Sequence, residues 1–159
     1  MQDPASPWSA TIRGKPVPGQ TAERSRRTES TDIEAFSAIT GDRNPLHFDA
    51  DLARASVFGR LIVQDGVTSG LLNPLVAEDL PGPGTVFLSV AWSFVRAVGV
   101  GERLTERAEV QAVRDDKPIC TLATTIFNER GEPVLTGTAV TYTVPLRATV
   151  NHGRKADAA

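Results

Sequence analysis

The sequence is poor in the residues that build disulfides, metal sites and membrane spans. Its 159 residues include one cysteine, Cys120, and two histidines, His47 and His152. This set allows no internal disulfide and offers no zinc-binding pattern, so we expect no bound metal. No run approaches the roughly 20 apolar residues of a membrane helix, and the start of the chain does not read as a signal peptide. We therefore expect a cytoplasmic protein that does not bind membranes.

An excess of charge of one sign is also lacking. The 17 basic and 19 acidic residues give a net charge of -2, which predicts no broad attraction to nucleic acid or anionic lipid. No glycine-rich phosphate loop follows a predicted strand, and no Gly-x-Ser-x-Gly elbow is present. The missing elbow argues against an ordinary serine esterase.

The length predicts one domain with a flanking segment on each side. Residues 1–27 contain four prolines (Pro4, Pro7, Pro16 and Pro18) and little periodicity. They are predicted to form an extended N-terminal arm, either partly disordered or draped over the domain. Residues 28–146 form the predicted domain, and residues 147–159 form a C-terminal tail.

Apolar residues at helical spacing predict three helical segments in the first half of the domain. These segments run from Thr31, as the capping residue, to Gly41, from about 49 to 55, and from about Gly66 to Asp79. The third is almost entirely apolar, and Pro74 should kink it or interrupt its hydrogen bonds. Because such a helix must be surrounded on most sides, we expect it at the centre of the fold.

The hydrophobic period changes to two in the second half of the domain. The predicted strands cover residues 86–94, 104–113, 119–127 and 134–144. Short turns join consecutive strands, which predicts an antiparallel sheet. Helices followed by such strands indicate an α+β domain, in which a curved sheet wraps around the apolar helix.

The segment Thr40-Gly41-Asp42-Arg43-Asn44-Pro45-Leu46-His47 is the densest cluster of reactive and conformationally special residues. A carboxylate and an imidazole that bind one water can orient it, take its proton and return a proton to carbon, which suits Asp42 and His47. The same residues also suit a purely structural loop. In that interpretation Asp42 caps a turn, Asn44 makes a side-chain turn bond, and His47 is an ordinary, partly buried histidine.

Other polar and aromatic features carry weaker interpretations. Asp115 and Asp116 lie in a predicted hairpin tip, which is typical of a solvated turn. Cys120 lies inside a predicted strand with no histidine nearby in sequence, which favours a buried structural thiol. Trp92 and Phe94 either fill the core or block a substrate channel.

The loop resembles the hydratase motif of the (R)-specific enoyl-CoA hydratases, also called MaoC-like dehydratases. The matching residues are Phe36, the segment from Thr40 to His47, and Ala53, and Gly-Asp-x-Asn-Pro-Leu-His is a specific pattern. The likeness covers roughly residues 27 to 146. It implies a hot-dog fold, in which an antiparallel sheet wraps around a long central helix. It also implies a homodimer, or a higher oligomer of dimers, that joins two sheets edge to edge.

The resemblance implies a catalytic site as well. Asp42 and His47 would activate the water for syn addition to C3 of a trans-2-enoyl thioester, and one of them would return a proton to C2. Asn44 would position the water or the loop. A backbone N–H of Gly66 or Asp65 would bind the thioester carbonyl, where the helix dipole stabilises developing negative charge. No cofactor is implied, because the CoA thioester is the substrate.

One position departs from the family pattern. The family shows Val-His-Gly before the central helix, whereas this chain has Val63-Gln64-Asp65-Gly66. A carboxylate at Asp65 that pointed inward would oppose the charge that develops during addition. We therefore expect it to point outward.

Three functions are compatible with these observations. The first is a hydratase or dehydratase acting on an acyl-CoA or acyl-carrier-protein thioester to give or consume a 3-(R)-hydroxyacyl thioester. The second is a hot-dog thioesterase, whose acidic residue would be Asp65 or Glu78. The third is a non-catalytic acyl-binding or partner subunit, against which the retained Asp42 and His47 argue.

Overall fold

A five-stranded antiparallel sheet forms the framework of the computed structural model, which describes residues 6–146. Its strands are β1 (Thr21–Arg27), β2 (Thr85–Phe94), β3 (Arg103–Val113), β4 (Ile119–Phe127) and β5 (Pro133–Thr143). They lie in the order β1-β3-β4-β5-β2. Strands β2, β3, β4 and β5 confirm the four predicted strands. Strands β1 and β2 form the two edges of the sheet.

The helices precede most of the strands, as predicted. They are α1 (Ser30–Thr40), α2 (Pro45–Phe48), α3 (Ala50–Ala55), α4 (Asp65–Gly70), α5 (Leu72–Pro74) and a π-helical turn, α6 (Leu75–Asp79). We refer to α4, α5 and α6 together as the central helix. Its regular hydrogen bonding is interrupted around Pro74, which lacks an N–H to donate.

The strand β1 lies within the segment that the sequence analysis assigned to an arm. It pairs antiparallel with β3 from Thr21, opposite Glu109, to Arg27, opposite Arg103. The sequence Thr-Ala-Glu-Arg-Ser-Arg-Arg has no apolar alternation, so hydrophobic period gave no signal for it. Residues 21–27 therefore belong to the sheet.

The start of α1 also differs from the prediction. The helix begins at Ser30, and the residue that precedes it is Glu29, whose backbone N–H donates to the Asp32 carboxylate at 2.8 Å. Thr31 lies inside the first turn, so its prediction as the capping residue is wrong. The predicted end is confirmed, because Gly41 adopts φ 80° there and its N–H donates to the Ser37 carbonyl.

The central helix packs against the inner face of the sheet. Leu72 and Leu75 are fully buried, and the facing sheet residues Leu104, Ile126 and Leu135 are equally inaccessible. Each such leucine contributes about 1.5–3 kcal/mol to folding through the apolar surface it removes from water. The predicted central position of the apolar helix is confirmed.

The described part of the N-terminal arm is draped over the domain. Trp8 is buried in a second cluster with Val76 and Leu80 of the central-helix end and with Val110 and Leu122 of the sheet. Its indole N–H donates to the Arg114 carbonyl at 2.9 Å. The arm therefore covers the end of the central helix that lies opposite its start at Asp65.

Candidate active site

The loop between α1 and α2 is held by its own polar side chains. After the glycine that ends α1, the Asn44 N–H donates to Asp42 Oδ1 at 3.0 Å. The Asn44 side chain in turn accepts from the Leu46 N–H at 3.1 Å and caps α2. These are the turn bonds of the structural interpretation, and they leave the second carboxylate oxygen of Asp42 without a loop partner.

His47 lies on α2 and is buried. Its Nδ1 is 2.7 Å from the Ile62 carbonyl oxygen. A carbonyl can only accept, so Nδ1 carries the hydrogen, and the neutral imidazole has its lone pair on Nε2. The Ile62 carbonyl thus fixes both the orientation and the tautomer of the ring.

Asp42 and His47 come together across the loop. Asp42 Oδ2 and His47 Nε2 are 3.8 Å apart. That separation is too long for a direct hydrogen bond, and it lets one water donate to both acceptors. The two side chains that the sequence singled out can therefore bind one water between them.

This pair lies in a cleft of about 590 Å³. The cleft collects residues from α1, the loop, the start of the central helix and the end of β2. Its lining consists of Phe36, Asp42, Asn44, Leu46, His47, Phe58, Ile62, Gln64, Asp65, Gly66, Phe94, Val95, Arg96 and Ala97. All five predicted site residues, namely Asp42, Asn44, His47, Asp65 and Gly66, are among them.

The start of the central helix supplies backbone donors to the cleft. The Val67 and Thr68 N–H groups donate to the Gln64 carbonyl. The N–H groups of Asp65 and Gly66 have no acceptor within residues 6–146, as is usual in a first helical turn. Both are therefore available to a carbonyl oxygen bound in the cleft.

The acidic residues of the thioesterase interpretation lie at opposite ends of the central helix. The Asp65 side chain is exposed at the start, where the residue lines the cleft. Glu78 lies near the end and pairs with Arg24 at 2.5 Å. Only Asp65 is near the Asp42 and His47 pair.

Trp92 and Phe94 have different environments. Trp92 packs edge-to-face on Phe87, and its indole N–H donates to Thr124 Oγ1 at 3.0 Å. Phe94 is exposed and lines the cleft. The core interpretation is confirmed for Trp92 and wrong for Phe94.

The remaining polar features are structural. Cys120 is buried, and burial raises the pKa of its thiol to about 12, so it fits the predicted buried structural thiol. Asp116 forms an exposed ion pair with Arg114 at 2.5 Å, and Asp115 pairs with Lys15. Among the described residues, no group of three or more histidine, cysteine, aspartate or glutamate side chains could hold a metal ion.

Two buried polar residues, Gln64 in the cleft lining and Ser37 behind it, are connected in a way that the sequence did not predict. Gln64 donates to Ser37, and Ser37 donates to the backbone of Asp42. Gln64 had drawn notice only as a departure from a family pattern. Because 27 positions separate Ser37 from Gln64, no local sequence pattern could have linked them.

The fold and the site together define a class: a hot-dog domain whose aspartate and histidine pair shares a cleft with the start of the central helix. The family model described as "MaoC like domain" matches residues 14–130. An (R)-specific enoyl-CoA hydratase from Aeromonas caviae is 41% identical over 122 residues, which are 77% of this chain and 91% of that protein. A 3-hydroxybutyryl-CoA dehydratase from Methylorubrum extorquens is 33% identical over 77% of each chain.

Solved structures with a similar fold include proteins of the same kind as the sequence relatives. The structure of an (R)-hydratase from A. caviae has a TM-score of 0.78 and 39% identity, covering 81% of this chain and 98% of that chain. An unliganded R-hydratase from Pseudomonas aeruginosa has a TM-score of 0.76 and 34% identity, covering 80% and 82%. The chain belongs to the MaoC-like dehydratase family, and the predicted family and hot-dog fold are confirmed.

Proposed function

We propose that this protein is an (R)-specific enoyl-CoA hydratase, which adds water to a trans-2-enoyl thioester and also catalyses the reverse dehydration. The observation that carries the proposal is the 3.8 Å separation of Asp42 Oδ2 and His47 Nε2 inside the cleft. Two acceptors at that distance suit a single water. Relatives named as (R)-specific enoyl-CoA hydratase and 3-hydroxybutyryl-CoA dehydratase support this reaction class.

The chemistry needs a base for the water, a donor for the carbonyl and an acid for C2, and the cleft offers groups for all three tasks. The water held by Asp42 and His47 attacks C3, and its proton passes to the pair, where the lone pair on His47 Nε2 is suited to accept it. The thioester carbonyl binds the free N–H of Gly66 or Asp65, which stabilises the enolate-like charge. The pair then returns a proton to C2, so one water has been added across the double bond. The backbone N–H of Asn44 donates to the Asp42 carboxylate and holds it in place.

The same chemistry bears on the substrate and on the need for a cofactor. The reaction consists of proton transfers and an addition, so it needs neither a metal nor a cofactor. An acyl-CoA is the proposed substrate, with an acyl-carrier-protein thioester as the variant that the assay distinguishes. We propose a cytoplasmic location. Among the described residues, no helix is long and apolar enough to cross a membrane.

The edges of the sheet favour a homodimer. The strand β2 contains no charged residue and exposes Val86, Leu88, Val90 and Phe94. An exposed apolar edge strand is normally covered, whereas charged side chains protect the opposite edge at β1. A second copy that pairs β2 with β2 would cover this edge and extend the cleft wall at Phe94.

Turnover with defined products tests the function. Purified protein is mixed with crotonyl-CoA and with a longer 2-enoyl-CoA, and the absorbance of the conjugated thioester is followed. The proposal predicts loss of absorbance, a 3-(R)-hydroxyacyl-CoA product and no free thiol. The same enoyl chains on acyl carrier protein show which carrier is preferred.

The alternatives give different products. Release of free CoA would identify a thioesterase, for which Asp65 lies in the cleft and Glu78 does not. Binding of acyl-CoA by folded protein without turnover of any of the thioesters would contradict the hydratase and support an acyl-binding subunit.

A further inference from the structure

Gln64 is a buried amide that joins the start of the central helix to α1. It is 2% exposed, and its Nε2 donates to the Ile33 carbonyl and to Ser37 Oγ, each at 3.2 Å. The Ile33 carbonyl can only accept, so the nitrogen of the amide must face α1. The other end, Oε1, is buried and has no hydrogen-bond partner within the described residues. A buried acceptor without a donor is unfavourable, so any stabilisation from this amide comes from the two hydrogen bonds of its nitrogen.

Ser37 carries the connection on to the loop. Its side chain is buried, it accepts from Gln64, and its single hydroxyl hydrogen is donated to the Asp42 carbonyl. A serine hydroxyl has one hydrogen to donate, so this assignment is complete. Gln64, Ser37 and the backbone of Asp42 therefore form one continuous chain of hydrogen bonds, which we call the Gln64–Ser37 bridge.

The neighbouring residues hold the same two elements in contact. A Cβ atom on Gly66 would lie 2.2 Å from Cζ of Phe36, so the ring of Phe36 packs directly on the helix backbone there. Phe36 and Ser37 are adjacent on α1, and Gln64 and Gly66 flank Asp65. The free N–H groups of the helix start and the Asp42 loop are thus braced against the same turn of α1.

We propose that Ser37 and Gln64 are positioning residues, which set the backbone of Asp42 relative to the donors at the start of the central helix. This inference rests on the proposed hydratase function. The bridge bonds to Asp42 only through its main-chain carbonyl, and we assign it no contact with substrate. Loss of the bridge lets Asp42 move relative to His47 and to the carbonyl donors. A misplacement of this kind weakens the chemical step while substrate binding is kept.

The variants Ser37→Ala and Gln64→Met test the bridge. Each removes the two hydrogen bonds that its side chain makes and leaves the size of the side chain nearly unchanged. We expect each to lower kcat about tenfold or more, with KM within threefold of the wild type. Because both act through one bridge, the double variant is expected to lose no more than the worse single variant. The control is Thr85→Val, which removes a buried hydroxyl bond to Thr143 on the sheet, outside the cleft lining, and should leave kcat unchanged.

The outcomes separate this inference from the function on which it rests. Wild-type protein that does not turn over enoyl-CoA contradicts the hydratase proposal itself. If the wild type is active, the bridge is overturned when folded Ser37→Ala keeps kcat within twofold of the wild-type value. It is also overturned when the kcat losses of the two single variants multiply in the double variant. A rise in KM at constant kcat would also overturn it, because it would place these residues in substrate binding. Circular dichroism of each variant checks folding, and Ser37→Ala alone decides if Gln64→Met does not fold.

Discussion

Glu106 is a charged residue among apolar neighbours on the inner face of β3. It is 2% exposed, and its Oε2 has no hydrogen-bond partner within residues 6–146. Burial raises its pKa above the usual glutamate value, and Arg26 and Arg24 offset this only partly. Folding therefore shifts the titration of this carboxyl group to higher pH than in the unfolded chain.

The pH dependence of stability follows from that direction. The pKa of Glu106 is higher in the folded than in the unfolded protein. The free-energy penalty for burying its charge is therefore absent at pH values below the unfolded-state pKa, and it is complete above the folded-state pKa. We predict that Glu106→Gln gains stability relative to wild type as pH rises from 4 to 8. Urea unfolding at several pH values measures it, with Glu109→Gln on the outer face of β3 as the control. The raised pKa of Glu106 would be contradicted if the difference in unfolding free energy between Glu106→Gln and wild type did not vary with pH. It would also be contradicted if that difference favoured the wild type more at pH 8.

Among the site residues, the sequence predicted those that a short local motif contains. Asp42 and His47 are five positions apart in one loop, so a short motif marks both. The ring orientation of His47 depends on the Ile62 carbonyl, and the Gln64–Ser37 bridge depends on a tertiary contact. Neither has a local signature, because the partners lie 15 and 27 positions apart and meet only in the folded domain.

The N-terminal arm acts as a structural element of the domain. Beyond the contacts of Trp8, the Gly19 N–H donates to the Val110 carbonyl and the Val110 N–H donates to Gln20. These bonds continue the β1–β3 pairing towards the arm. Its sequence, rich in proline and without period, left a partly disordered arm and a draped arm as alternatives, since a lone tryptophan gives no periodic signal that decides between them.

Removal of the buried indole should destabilise the whole domain. Trp8→Ala leaves a cavity against Val76 and Leu122 and is expected to lower the free energy of unfolding by about 3–5 kcal/mol. Denaturant unfolding measures the change, and Val17→Ala, at an exposed arm position, is the matched control. If Trp8→Ala unfolds at the same denaturant concentration as wild type, then the arm does not contribute to the core.

The two edges of the sheet have opposite chemistry across the whole molecule. The edge strand β1 carries Glu23, Arg24, Arg26 and Arg27, whereas β2 has no charge over ten residues. The hydrophobic period predicted β2 as a strand, but its edge position emerges only from the strand order. That position is what favours a second copy as its partner.

A charge placed on the apolar edge should separate the subunits. We predict that the wild type is a dimer in light scattering and that Leu88→Lys with Val90→Lys is a monomer, because two like charges would face their copies across the shared edge. The control is Thr21→Lys at the opposite edge, which should stay dimeric. A monomeric wild type, or a dimeric double variant, would contradict pairing through β2.

The central claim is that Asp42 and His47 act as a unit on one water. The measurement that tests it most directly is kcat for hydration of crotonyl-CoA by wild type, Asp42→Asn, His47→Gln and the double variant. We predict that each single substitution lowers kcat by about 10²–10⁴, and that the double variant is at most about tenfold slower than the slower single variant. A folded single variant that keeps more than a tenth of the wild-type kcat, or losses that multiply, would contradict the claim.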